Sequence, residues 1–208
     1  MIVYTPIDIS INIPDGDVLK EYFFNNYMTN LKETFGYTSL LCALISRNSV
    51  TDWRDATQVF ADHTDSDLFY APNVKEIFPE LIEFVHTLPY KEIIGAVLNL
   101  HTEYLPPHQD EFINLNVDGP ERYNVLLTPH YEQESFFICK DKNSEKIYPK
   151  ILKEYPVYAF SNNKVFHGAD KVLNERIILI CAGILDEEKH DKLIKASSEK
   201  FKDYVIRF

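Results

Sequence analysis

The sequence predicts a mainly β fold, an all-β sandwich or barrel flanked by helices, and three observations predict it. Six short runs rich in β-branched and aromatic residues lie between residues 91 and 184, with turn-like clusters separating them. Apolar residues at helical spacing dominate the chain before that stretch and return after it. No internal repeat divides the chain, and 208 residues suit one domain. The expected organisation is a single domain over 1–208. Within it, a helical, substrate-covering part spans 1–89, a β core 90–185 and a closing helix 186–208.

Residues 1–14 read as an extended segment punctuated by Pro6 and Pro14. A helix is expected over residues 17–35, because Val18, Leu19, Tyr22, Phe23, Tyr27, Leu31 and Phe35 recur at helical spacing. Asp15 or Asp17 can cap its start, and Gly36 ends it. The aromatic residues near 22–27 read as core. The apolar run 38–46 reads as a buried strand. Residues 47–73 are polar and irregular and read as a surface segment that covers a pocket. A second helix is expected over 74–88, with Pro79 in the first turn of its main part. The runs 91–102, 122–128, 135–140, 155–160, 164–167 and 176–184 then read as strands. Residues 186–206 read as a helix, with Leu193, Ile194, Phe201, Tyr204 and Val205 on its apolar side.

Charge and composition exclude several function classes. The formal net charge is -11, whereas a nucleic-acid binder draws most of its affinity from basic contacts to phosphate. The densest basic stretch, from Lys189 to Lys202, is interleaved with acids and reads as a solvated helix face, so no nucleic-acid partner is expected. Cys42, Cys139 and Cys181 sit inside apolar runs and read as buried free thiols. No basic segment followed by a long apolar stretch opens the chain, and no apolar run is long enough to span a bilayer. A cytoplasmic protein without a membrane partner is the expectation; the sequence leaves the oligomeric state open.

The chemistry concentrates in residues 104–112, YLPPHQDEF. His108 and Asp110 are two apart, and residues i and i+2 of an extended strand share a face. An imidazole and a carboxylate can thus approach one metal ion from a single short segment. His167 ends a later apolar run and belongs to a different strand. Two His and one carboxylate with open coordination positions form the facial triad of non-haem Fe(II) oxygenases. Nine residues after His167, Arg176 opens the apolar strand RIILICAGI. An Arg entering a core calls for an anionic partner, and its guanidinium fork matches a carboxylate. A dicarboxylate cosubstrate would supply one.

Competing readings exist for each residue. His101 and Glu103 form a second His-x-acid pair, although His101 reads better as a strand-end residue; a Pro-Pro turn leading into the metal strand favours His108 and Asp110. Arg176 could instead pair with Glu175, Asp170 or Asp186. Arg122 reads equally as a substrate-carboxylate contact or a solvent-facing residue. Trp53 and Arg54 are candidates for the substrate mouth, although a Trp in a loop is more often a packing anchor. His63, His86, His130 and His190 read as ordinary histidines.

The ordered set HQD, FHGAD and NERIIL, with LNLHTEYLPPHQD before it and RYNVLLTP between, resembles the 2-oxoglutarate- and Fe(II)-dependent oxygenase superfamily. The wording is similar to its aspartyl/asparaginyl β-hydroxylase-like and prolyl hydroxylase-like branches, over roughly residues 90–185. The resemblance implies a double-stranded β-helix (a cupin-like jelly roll), with His108, Asp110 and His167 as iron ligands and Arg176 on the distal carboxylate of 2-oxoglutarate. Ile178 stands where the superfamily often has Ser or Thr, so a second carboxylate partner must come from elsewhere; Tyr123, Asn124 and Tyr158 are the candidates. Asp110 favours hydroxylation over halogenation, because halogenating relatives lack that carboxylate. The implied reaction consumes 2-oxoglutarate and O2, releases succinate and CO2, and hydroxylates an unactivated C–H of a small molecule, a free amino acid among the candidates. A peptide side-chain hydroxylase, a cupin-like metalloenzyme that does not use 2-oxoglutarate, and a non-catalytic binding module are the alternatives.

Overall fold

The computed structural model describes residues 1–26, 29–30, 39–48, 59, 67–110, 117, 119–128 and 135–208. The end of the expected first helix, most of the 47–73 segment with Trp53, Arg54 and His63, and His130 lie outside the described residues.

Twelve strands and four helices occupy the described residues. The strands are β1 (Ile2–Pro6), β2 (Thr29–Asn30), β3 (Ser39–Ser46), β4 (Phe69–Tyr70), β5 (Tyr90–His101), β6 (Leu105–His108), β7 (Arg122–Leu126), β8 (Phe136–Cys139), β9 (Val157–Phe160), β10 (Phe166–Ala169), β11 (Arg176–Leu185) and β12 (Ile206–Arg207). The helices are α1 (Gly16–Asn26), α2 (Val74–Ile77), α3 (Pro79–Thr87) and α4 (Glu187–Lys200). The larger sheet runs β12-β1-β9-β7-β11-β5-β3-β2, with β4 on β3, and the smaller runs β6-β10-β8. All the pairings are antiparallel. The chain is mainly β with flanking helices, as the run pattern predicts.

Strand alternation gives the larger sheet two faces. Tyr123, Val125 and Leu127, with Val157 and Ala159, and with Ile177, Leu179 and Cys181, point into the core shared with the helices. Leu19 and Phe23 of α1, Leu81 and Val85 of α3 and Ile194 of α4 fill the other side of that core. The alternate residues Leu126, Tyr158 and Phe160, joined by Ile178, pack against Phe136 and Ile138 of the smaller sheet. Arg122, Asn124 and Arg176 share the parity of this inner set. A two-residue period thus decides which side chains meet the helices and which meet the smaller sheet.

The structure corrects four boundaries. The helix expected over 74–88 is two helices, broken at Phe78 (φ -127°, ψ 54°), because the residue before a proline is driven out of helical geometry. The final helix stops at Lys200; residues 202–204 form a 3-10 turn, and β12 returns to pair with β1. Asp186 caps its start by accepting from the Lys189 amide. Pro106 and Pro107 lie inside β6 rather than in a turn, and β6 tolerates them because it is an edge strand. The strand expected over 164–167 begins instead at Phe166 and carries His167 in its interior.

Candidate metal centre

The smaller sheet brings the two histidines together. His167 on β10 is the register partner of His108 on β6, and their ring centroids are 4.4 Å apart. Gly168 makes this close packing possible. A Cβ there would lie 2.5 Å from the Leu105 carbonyl oxygen and 2.6 Å from Cζ of Phe137, so any side chain would push β10 away from both neighbours.

Asp110 follows the end of β6 rather than sharing the strand with His108, which corrects the expected strand geometry for this pair. Its amide donates to the Asn162 carbonyl (3.0 Å), which anchors it to the turn between β9 and β10. Asp110 Oδ1 is 3.4 Å from His108 Nε2, and Oδ2 is 3.7 Å from His167 Nε2. Among the described residues, these three side chains form the one cluster of three or more His, Cys, Asp or Glu with ligand atoms within 4.8 Å of one another.

The electrostatics suit cation binding. Burial pushes His167 down to about 3, so its ring is neutral and its lone pair available at neutral pH. Burial would lower His108 too, but the Asp110 carboxylate and the Pro106 carbonyl outweigh it and raise the ring. His108 Nδ1 donates to the Pro106 carbonyl (2.9 Å), so the proton that Nε2 shares with Asp110 is the one a metal ion would displace to reach the Nε2 lone pair. Burial works to raise Asp110, yet the Arg122 guanidinium, the hydrogen bond from His108 and the nearby His167 hold its carboxyl well below the usual range. Two imidazole nitrogens, His108's once its Nε2 proton is displaced, and one anionic oxygen are a donor set that Fe(II) accepts.

Arg122, expected at a substrate carboxylate or in solvent, instead donates from NH1 to Asp110 Oδ2 at 2.5 Å. Asn162 Nδ2 donates to the same oxygen at 3.2 Å. Behind them Glu121 Oε1 accepts from the Asn163 amide (3.1 Å), tying the start of β7 to the turn that carries Asn162. Burial pushes the Glu121 carboxyl up to about 7, and its Oε2 has no hydrogen-bond partner.

Arg176 is 5% exposed. Its NH1 donates to Ser135 Oγ (2.7 Å), its Nε has no partner, and the Tyr4 and Tyr158 hydroxyls lie close enough to affect its charge. Each carboxylate considered for it is engaged elsewhere: Glu175 with Lys20 (3.2 Å), Asp170 with Lys146 (2.6 Å) and Asp186 with Lys189 (2.9 Å). Among the described residues no carboxylate pairs with this buried guanidinium. Asn124 lies on the same face, its Nδ2 3.4 Å from the Tyr158 hydroxyl and its Oδ1 unpartnered. Tyr123 points to the opposite face, where its hydroxyl meets His190 Nδ1 at 2.8 Å; strand alternation therefore places it among the helix-side residues and away from Arg176.

The competing pair does not assemble. His101 is buried with Nε2 3.1 Å from the Asp170 carbonyl oxygen, while Glu103 reaches Lys171 (3.1 Å). His190 packs on Tyr123, and His86 meets the Tyr70 hydroxyl at 3.0 Å. Trp53 and Arg54 lie outside the described residues. Asn162, Ser135, Tyr4 and Glu121 went unread in the sequence. Asn162 sits in the SNN turn five residues before His167, which signals a turn and nothing more.

The chain matches no protein-family model and no curated protein. No helix among the described residues is long and apolar enough to cross a membrane. A facial-triad-like metal site on an antiparallel β scaffold supports a metal-dependent, oxygenase-type function and is consistent with a 2-oxoglutarate/Fe(II) oxygenase-like fold.

Proposed function

We propose that the chain is an Fe(II)- and 2-oxoglutarate-dependent dioxygenase that hydroxylates an unactivated C–H of a small molecule. Arg176 carries the step from a metal site to this reaction: a buried guanidinium with no carboxylate partner among the described residues, on the sheet face shared with Arg122 and Asn124. Leaving such a charge unpaired costs several kcal/mol in a protein interior, of order ~3–5 kcal/mol where a partner is removed. A bound dicarboxylate would supply the missing partner. The two antiparallel sheets packed on a shared core, with His108 at the end of an edge strand, suit a double-stranded β-helix.

His108, Asp110 and His167 would hold Fe(II), which when bound with 2-oxoglutarate and O2 supplies the oxidising chemistry and yields succinate and CO2. The protein's part is to bind, orient and exclude water. Arg176, with Ser135 beside it, would receive the distal carboxylate. Tyr158 is placed to donate its phenolic proton to the same group; burial raises its pKa, so it stays protonated. Asn124 offers an unpartnered amide oxygen nearby. Phe160 stacks edge-on to His167 with centroids 5.0 Å apart and keeps water from that side of the ring.

The test is consumption of 2-oxoglutarate by the Fe(II)-loaded protein, with succinate measured across a panel of free amino acids. Succinate formed above the uncoupled background for one panel member supports the reading and identifies the substrate class. Absence of any 2-oxoglutarate turnover, coupled or uncoupled, contradicts it.

A further inference from the structure

The two oxygens of Asp110 are not equivalent. Oδ2 accepts from Arg122 NH1 and from Asn162 Nδ2 (3.2 Å), and an ionised carboxylate oxygen offers about two lone pairs. Oδ2 is therefore filled, although it is also the oxygen nearer His167. Oδ1 faces His108 Nε2 at 3.4 Å and has capacity left. The Asn162 carbonyl holds the Asp110 amide at 3.0 Å, so one residue grips both the main chain and the side chain of the ligand. Arg122 stands on β7, in the middle of the larger sheet, and its side chain is largely buried. One arm of the clamp thus comes from a strand inside the sheet, and the other, Asn162, from the turn between β9 and β10.

We propose that Arg122 is a positioning residue. With Asn162 it occupies Oδ2 of Asp110, so that Oδ1 alone is offered to the metal, and its fixed positive charge biases the site towards a divalent over a trivalent ion. This rests on the metal-site reading above. A guanidinium, unlike an amine or imidazole, does not relieve such repulsion by shedding its charge. A unit charge about 4–6 Å from the ion, at an effective dielectric of about 20, changes an equilibrium by ~100- to 1,000-fold for each added unit of ionic charge. For a catalyst that must rest in the ferrous state, that bias favours the working oxidation level.

Metal-free protein is titrated with Mn(II) and with Ga(III), each buffered by a competing chelator, for wild type, Arg122→Lys, Arg122→Gln and Asn162→Ala. A loss of scaffold would weaken both ions alike and leave their ratio unchanged, so the ratio reads the charge alone. Arg122→Gln is expected to shift the ratio at least tenfold towards Ga(III), while Arg122→Lys and Asn162→Ala keep the wild-type ratio. An unchanged ratio in Arg122→Gln overturns the proposal. Should that variant fail to fold, a crystal structure of wild type with Mn(II) decides. Mn(II) on Oδ1 alone, with Arg122 still on Oδ2, supports the clamp; a two-oxygen carboxylate or a released Arg122 overturns it. Failure of wild type to bind either ion removes the metal site itself and this proposal with it, whereas binding with an unchanged ratio removes the proposal alone.

Discussion

The two faces of the larger sheet differ in how completely their polar groups are satisfied. On the helix side, Val125, Ile177, Leu179 and Cys181 pack with Leu81, Val85 and Ile194, and the polar Tyr123 and His190 found there satisfy one another. On the inner side, Arg176 Nε and Asn124 Oδ1 lie buried without partners among the described residues; across from it His167 Nδ1 on the smaller sheet and Asn162 Oδ1 in the connecting turn do the same. An unmet buried polar atom costs roughly 1–3 kcal/mol, so a face that keeps several is held for binding and not for stability. One sheet thus separates a layer whose polar groups are met within the protein from a layer where, among the described residues, several are not.

That contrast can be broken most severely at the histidines. His167→Ala or His108→Ala should abolish metal binding, a loss of ~1,000-fold or more given that each supplies a bond to the ion. The metal-free protein should unfold at nearly the wild-type temperature, and calorimetry with and without Mn(II) checks both halves. A helix-side change should do the reverse. Leu179→Ala should cost about 2–5 kcal/mol of stability with metal affinity retained in the folded fraction, as measured by urea unfolding.

Arg176 sharpens the comparison because it should behave as an inner-face residue in both respects. Arg176→Ala should raise the 2-oxoglutarate concentration needed for half-saturation by ~100-fold, since one charge-assisted pair is lost. Arg176→Met should leave the ligand-free protein as stable as wild type or more so, because it removes a buried charge that no described carboxylate pairs with and keeps the volume. A marked destabilisation by Met would mean that the guanidinium already has the partner it needs.

Glu121 gives the smallest effect and the clearest sign. Its folded carboxyl is raised to about 7, above the ordinary carboxylate value, so the folded state binds the proton more tightly than the unfolded state. The stability this contributes is fully present below about 4.5 and is lost as pH rises through about 7. Glu121→Gln should therefore stabilise the protein by about 1–3 kcal/mol at pH 8 and change little at pH 4.5, as thermal unfolding at the two pH values would show.

Much of this was legible in the sequence. The short runs rich in β-branched residues mark the strands, and the pairing of His108, Asp110 and His167 follows from residue type and from strands that return to one place. Arg176 was readable because an arginine heading an apolar strand conflicts with its surroundings. Asn162, Ser135 and Tyr4 were not, because each becomes part of the site only through contacts across dozens of residues, and Asn in a turn or Tyr in a strand is locally unremarked. Tyr123 and Asn124 are adjacent in sequence, and only the register of β7 against β9 and β11 decides that Asn124 faces inward. The Pro-Pro pair misled for a related reason: proline marks a turn by default, and edge-strand placement is a property of the whole sheet.

The central claim is that the triad and Arg176 together hold Fe(II) and 2-oxoglutarate. Its most direct test is an anaerobic titration of the Fe(II)-loaded protein with 2-oxoglutarate, followed by visible absorption. A saturable charge-transfer band is predicted for wild type, absent in His167→Ala and shifted to far higher ligand concentration in Arg176→Ala. No band from iron-loaded wild type at saturating 2-oxoglutarate would contradict the account.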